Sequence, residues 1–152
     1  MKTMKKILFF LVCAALLASC KQPQPEVPLQ PEPGTYLGKV SVEYEGSSFD
    51  TDGIYVQFSP AEDGKTASIE IRKIKFVPKM PVTIDVTIPD VVLAVGEDQI
   101  FLSCDNVIPL AMGGEYPRYK VSGLTGTVKG DELKFSLKFG DSPTAYTGTL
   151  QH

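Results

Sequence analysis

The sequence contains one histidine, His152, and it stands at the carboxyl end. Imidazole is the usual general base near neutral pH, so a Ser-His-Asp or Cys-His relay would have to be built on a position where fraying is expected. The other polar constellations are short. Asp50-Thr51-Asp52-Gly53 looks like the start of a calcium loop, but the positions needing a further oxygen ligand and a closing bidentate glutamate hold Ile54 and Ala61. A turn between two strands is expected there instead. Phe139-Gly140-Asp141-Ser142 sets a serine beside a carboxylate, yet it follows an alternating strand and precedes Pro143. It reads as a hairpin loop with no partner to activate the hydroxyl. Cys104 ends the run Ile100-Phe101-Leu102-Ser103 without a basic neighbour, so an inert buried thiol is expected. No His/Cys cluster offers zinc ligands. These patterns lead to no catalytic residue, no metal site and no cofactor.

A different chemistry is written at Cys20. Residues 1–6 carry Lys2, Lys5 and Lys6, and residues 7–17 are apolar and uncharged, leading to Ala18-Ser19-Cys20. This is the layout of a signal peptide, too short to serve as a permanent helix across a hydrocarbon core of roughly 30 Å. The ending Leu17-Ala18-Ser19-Cys20 resembles the lipobox of bacterial lipoproteins. That resemblance implies removal of residues 1–19 and lipidation of Cys20 with a diacylglyceryl thioether and an amide-linked chain. Each buried CH₂ contributes about 0.8 kcal/mol and one chain holds only marginally, so an anchor of this kind is effectively permanent.

Removal of residues 1–19 takes away three lysines and no acid, which moves the net charge from −3 to −6. No basic cluster follows Lys6, and phosphate backbones are held by clustered Lys and Arg, so nucleic acid is not an expected partner. Cys104 is then the one thiol without a lipid, and no internal disulfide can form. The domain must be held by its core.

Residues 20–34 comprise the lipidated cysteine and a linker with Pro23, Pro25, Pro28, Pro31 and Pro33 among Gln and Glu. Such a segment favours an extended polyproline conformation and could reach about 40 Å, a stalk between bilayer and domain. From residue 35 a period of two takes over. Tyr36, Val40, Val42 and Tyr44 alternate with polar residues, as do Ile54, Val56 and Phe58, then Ala67, Ile69 and Ile71, then Val82, Ile84, Val86 and Ile88, and finally Leu133, Phe135, Leu137 and Phe139. Each set predicts a strand with one buried and one wet face. Gly-centred turn signals separate them at residues 45–47, 62–64, 96–98, 129–131 and 140–142. The phase slips between Ile71 and Ile74 and again near Gly123, where bulges are expected.

The expected fold of residues 35–151 is therefore all-β: about eight antiparallel strands in a small up-and-down barrel, with a β-sandwich as the alternative. Thr35-Tyr36-Leu37-Gly38 and Ala145-Tyr146-Thr147-Gly148 share a Tyr-x-Gly pattern, and Ser122-Gly123-Leu124-Thr125-Gly126 is a looser copy. A glycine within a strand marks a sharp bend or close backbone approach. If the first and last strands pair, no edge is left open.

Gly34-Thr35-Tyr36-Leu37-Gly38 after a Pro-rich lipoprotein linker, the segment Val82-x-Ile84 with Ile88-Pro89-Asp90-Val91, and the closing Tyr146-Thr147-Gly148-Thr149-Leu150 resemble the calycin-like β-barrel lipoproteins of gut Bacteroidales. The likeness covers residues 34–151. It implies a lipocalin-like barrel in the cell envelope, lipid-anchored to the outer membrane on its periplasmic side or at the cell surface. The chain departs from true lipocalins in having no Trp, where their first strand carries Gly-x-Trp, so their ligand site does not carry over.

Two functions fit these features. The first is a tethered module binding a small hydrophobic ligand in the barrel, with Tyr36, Val42, Tyr44, Val56, Phe135 and Tyr146 as its expected lining. The second is an interaction lipoprotein whose filled barrel or sandwich docks on another envelope protein. A continuous interior void favours the first, a solid core the second. The membrane, through Cys20, is the expected partner in both. Replacing Cys20 with Ala should abolish incorporation of a clickable fatty-acid analogue, and a labelled mutant would refute the lipoprotein reading.

Overall fold

In the computed structural model, residues 29–152 are described; the expected signal segment, Cys20 and the first part of the Pro-rich segment expected as a linker lie outside them. The elements run β1 (Gly34–Tyr44), β2 (Ser47–Pro60), β3 (Thr66–Ile74), β4 (Ile84–Val95), β5 (Ile100–Cys104), β6 (Leu110–Ala111), β7 (Gly114–Glu115), β8 (Val121–Lys129), β9 (Glu132–Phe139) and β10 (Ser142–Leu150). One 3₁₀ turn, Pro117–Tyr119, is the only helical element among the described residues.

Eight of these strands close a barrel. The order β3-β2-β1-β10-β9-β8-β5-β4 is completed by a β3–β4 pairing, and every pairing is antiparallel. The expected pairing of first and last strands is present, with Tyr36 opposite Leu150, Gly38 opposite Gly148 and Val42 opposite Thr144. The sandwich alternative falls on this point, since no strand of the ring is left with a free edge along the seam. β6 and β7 form a small hairpin that the sequence did not announce. It pairs with Val86 and Thr87 of β4, beside the part of β4 that short β5 does not reach.

The alternation sorts inside from outside as expected along β9, where Leu133, Phe135, Leu137 and Phe139 are buried while Lys134, Ser136 and Lys138 are exposed. The phase slips are bulges. Arg72 and Lys73 oppose the single Asp85, with Lys73 at φ 58° and its N–H donating to the Asp85 carboxylate at 2.9 Å. Gly123 and Leu124 oppose Leu137, and the Gly123 N–H donates to Asp105 at 3.0 Å. In both, a carboxylate satisfies an amide that the ladder leaves unpaired, so both Ile71 and Ile74 can face inward. Pro89 is tolerated within β4 because it sits at a third bulge beside Asp90, φ 58°.

Three expectations need correction. Tyr44, at the end of β1, is 38% exposed because the hairpin turn at Glu45-Gly46 has already carried it past the core. Val82 is 61% exposed in the loop before β4, which starts only at Ile84. Asp50-Thr51-Asp52-Gly53 is no turn: it lies within continuous β2, at a bulge where the register passes from Gly38 opposite Ile54 to Val40 opposite Thr51.

One cluster of inward-facing side chains fills the barrel, with Val40, Val56, Phe58, Ile69, Ile88, Leu133 and Phe139 among its fully buried members. Full burial of such a side chain contributes about 1.5–3 kcal/mol. The ion pairs Lys129–Asp98 and Lys134–Glu132 are solvent-exposed and screened, so they add little beside the core. Leu137→Ala should therefore cost about 2–5 kcal/mol in a urea melt, and Lys138→Ala should stay within about 0.5 kcal/mol of the parent. Equal losses would show that the strand faces had been assigned wrongly.

Candidate functional site

The two ends of the barrel differ. At one end lie the turns β1–β2 and β9–β10, the long β3–β4 loop and the excursion between β5 and β8. Phe76, from the β3–β4 loop, is buried there and plugs the opening. Its ring stacks on Tyr119 with centroids 4.0 Å apart and meets Phe139 edge-on at 5.0 Å, while Tyr116 stacks on Tyr119 at 5.2 Å. Sequence reading missed Phe76, because Lys75-Phe76-Val77-Pro78 has no period to mark its facing.

The barrel's middle is also occupied. Tyr146 on β10 is buried, its ring stacks on Phe135 at 5.3 Å, and its hydroxyl donates to the Ile54 carbonyl on β2 at 3.0 Å. Burial pushes the Tyr146 phenol well above the ordinary tyrosine value. A methyl group at Gly148 would overlap that ring and hydroxyl, so the glycine makes room for the tyrosine to reach across β1.

The other end is open. It carries the start of β1, the end of β10 and the β2–β3, β4–β5 and β8–β9 turns, together with the segment entering β1. A recess of about 460 Å³ lies here. Its floor is made by inward-facing residues of five strands, Tyr36, Phe58, Ile100, Val128 and Leu150. Leu29, Gln30, Glu32 and Pro33 form a side wall, so the last linker residues are part of the site, and Pro31 packs near Gly64 in the β2–β3 turn.

Tyr36 is the polar feature of the floor. Its residue is 3% exposed, and among the described residues its hydroxyl has no hydrogen-bond partner and no buried side-chain polar atom is left unpartnered. The hydroxyl therefore reaches solvent through the recess. Burial, followed by the nearby Asp131 carboxylate, raises its pKa above the ordinary phenol value.

Of the six residues expected to line a ligand site, the structure brings only Tyr36 to the recess. Val42, Val56, Phe135 and Tyr146 are packed in the core, and Tyr44 lies on the rim of the plugged end. Phe58, Ile100, Val128 and Leu150 could be assigned to the recess only once the register placed them at one end. Other recesses are less suited. One of about 380 Å³ lies on the outer wall among Ser41, Ser136 and Lys138, and one of about 450 Å³ lies on the plugged end between Tyr44 and Pro78. Neither gathers inward-facing residues from five strands.

The groups weighed for chemistry are dispersed. His152 lies 3.3 Å from Asp131 on the surface, Asp141 and Ser142 bound the β9–β10 hairpin, and Asp50 pairs with Lys39 at 3.5 Å. Cys104 is half-buried, and burial together with Asp105 and Asp90 pushes its thiol up to about 11, which keeps it protonated at neutral pH. Among the described residues no group of His, Cys, Asp and Glu could hold a metal ion.

Comparison with known proteins finds no matching family model, no similar curated protein and no similar solved structure.

Tyr146→Phe leaves the Ile54 carbonyl without its partner inside the core. A loss of about 1–3 kcal/mol in a urea melt is expected, with the barrel retained by circular dichroism. An unchanged midpoint would show that the hydroxyl does not bridge the strands.

Proposed function

We propose that this protein is a lipid-anchored cell-envelope lipoprotein whose β-barrel binds a small apolar molecule in the recess at its open end. The observation that carries the reading is the convergence of five strands on one apolar floor with the unengaged Tyr36 hydroxyl at its edge. A volume of about 460 Å³ falls within the range of small-molecule sites, which are mostly apolar with a few placed polar groups. The packed interior supports a ligand held in the mouth rather than swallowed whole. The signal layout and Cys20 support anchoring to the outer membrane, and the linker wall of the recess would put that site on the tethered side.

A second reading has its own support. Val92 on β4 and Phe101 on neighbouring β5 are each nearly half exposed on the outer wall. A filled barrel bearing such a face suits an interaction lipoprotein docking on another envelope protein.

Native mass spectrometry of the full chain, taken from its host envelope, separates the two. The first reading expects a co-purifying small molecule that is lost in Val128→Trp, which fills the recess, with the thermal midpoint unchanged. Wild-type protein that carries no adduct and takes up no apolar probe would overturn it and leave the docking reading.

A further inference from the structure

The recess has a sign of charge. Among the described residues, Glu32 is the one charged residue in its lining. Asp131, next to Gly130 of the lining, is close enough to act on the Tyr36 hydroxyl. Each turn at this end adds carboxylates: Glu62 and Asp63 after β2, Glu97 and Asp98 after β4, Asp131 after β8. The cations at this end are fewer: Lys65 in the β2–β3 turn, Lys129 at the end of β8, Lys134 near the start of β9, and His152. Lys129 is paired with Asp98 at 3.3 Å, and His152 with Asp131 at 3.3 Å, where it adds positive charge only when protonated. Among the described residues, no Lys or Arg lines the recess.

Resting on the binding reading above, we propose that the recess selects apolar molecules bearing an ammonium group, and discriminates against carboxylate-bearing molecules such as free fatty acids. The apolar body would lie on Phe58, Ile100, Val128 and Leu150. The cation would sit at the rim between Glu32 and Asp131, in reach of the Tyr36 oxygen as acceptor. An anionic head in the same pose would face two carboxylates with no basic side chain to receive it, and like charges brought together at a partly desolvated rim oppose binding. Removal of apolar surface from water drives entry, and the rim charges decide which head group is allowed.

The test uses three water-soluble probes of one shape: 4-phenylbutylammonium, 4-phenylbutanol and 4-phenylbutyrate. Each is titrated calorimetrically at pH 8 into the full chain held in zwitterionic nanodiscs, with empty nanodiscs as the blank. The ammonium should bind about fivefold or more tighter than the carboxylate in low salt, with the alcohol between them, and the spread should shrink as salt is added. Glu32→Gln with Asp131→Asn should remove most of the spread. Glu43→Gln with Glu45→Gln, at the plugged end, should leave it intact. Equal binding of ammonium and carboxylate would overturn the charge selection while the site itself stood. A spread that survives in the Glu32/Asp131 variant would also overturn it, by tracing the preference to net charge. Failure of all three probes, the alcohol included, would overturn the binding reading together with it.

Discussion

The backbones of β1 and β10 approach so closely at Gly38 and Gly148 that no side chain fits between them. A Cβ on Gly38 would overlap the Thr147 carbonyl and the Gly148 backbone, and one on Gly148 would overlap the Tyr146 ring. These two residues face each other in the register that joins the ends of the domain. Closure of a small barrel requires strands to coil and tilt, and glycines at such crossings let them do so without strain from side chains. The same opening lets Tyr146 reach Ile54 two strands away. Closure and core are thus fastened by one arrangement: the glycine pair admits the tyrosine, and its hydroxyl ties β10 to β2 across β1.

What the interior can do follows from how it is filled. With Tyr146 and Phe135 stacked in the middle and Phe76 wedged against Phe139 at one end, little of the barrel remains free for a ligand. The open end is the exception, since its inward-facing residues have no loop laid over them comparable to the one that carries Phe76. Its neighbours are the linker and three acidic turns. The molecule is thus divided: the body of the barrel is packed solid, and its open volume lies at one end among acidic turns.

Much of this was legible from period and punctuation. The inward set on β9 and the core portions of β2 and β3 follow from strict alternation, which a one-residue slip would invert. Pairing of the terminal strands was legible because the Tyr-x-Gly pattern occurs at both ends of the domain. The misreadings have local causes. Tyr44 continues an apolar alternation beyond the core to the last pair of β1, Val82 continues one into the loop before β4, and alternation alone does not mark where burial ends. Asp52-Gly53 reads as a turn in the sequence because a glycine at φ 69° serves a bulge as well as a hairpin. The recess was the least legible feature. It is assembled from residues far apart in the chain, Tyr36, Phe58, Ile100, Val128 and Leu150, whose common trait is height along the barrel. Height is set by bulges and register shifts that composition does not reveal.

The central claim is that β1 and β10 close the sheet through the Gly38–Gly148 seam. Amide hydrogen exchange read by NMR tests it most directly. In the closed barrel each of these strands has a bonded neighbour on both sides, so consecutive amides from Tyr36 to Val42 and from Thr144 to Leu150 should both be protected. Were the seam open, each strand would be an edge, and every second amide along it would exchange at the rate of a solvent-facing group. Alternating protection would contradict the account; continuous protection is what it requires.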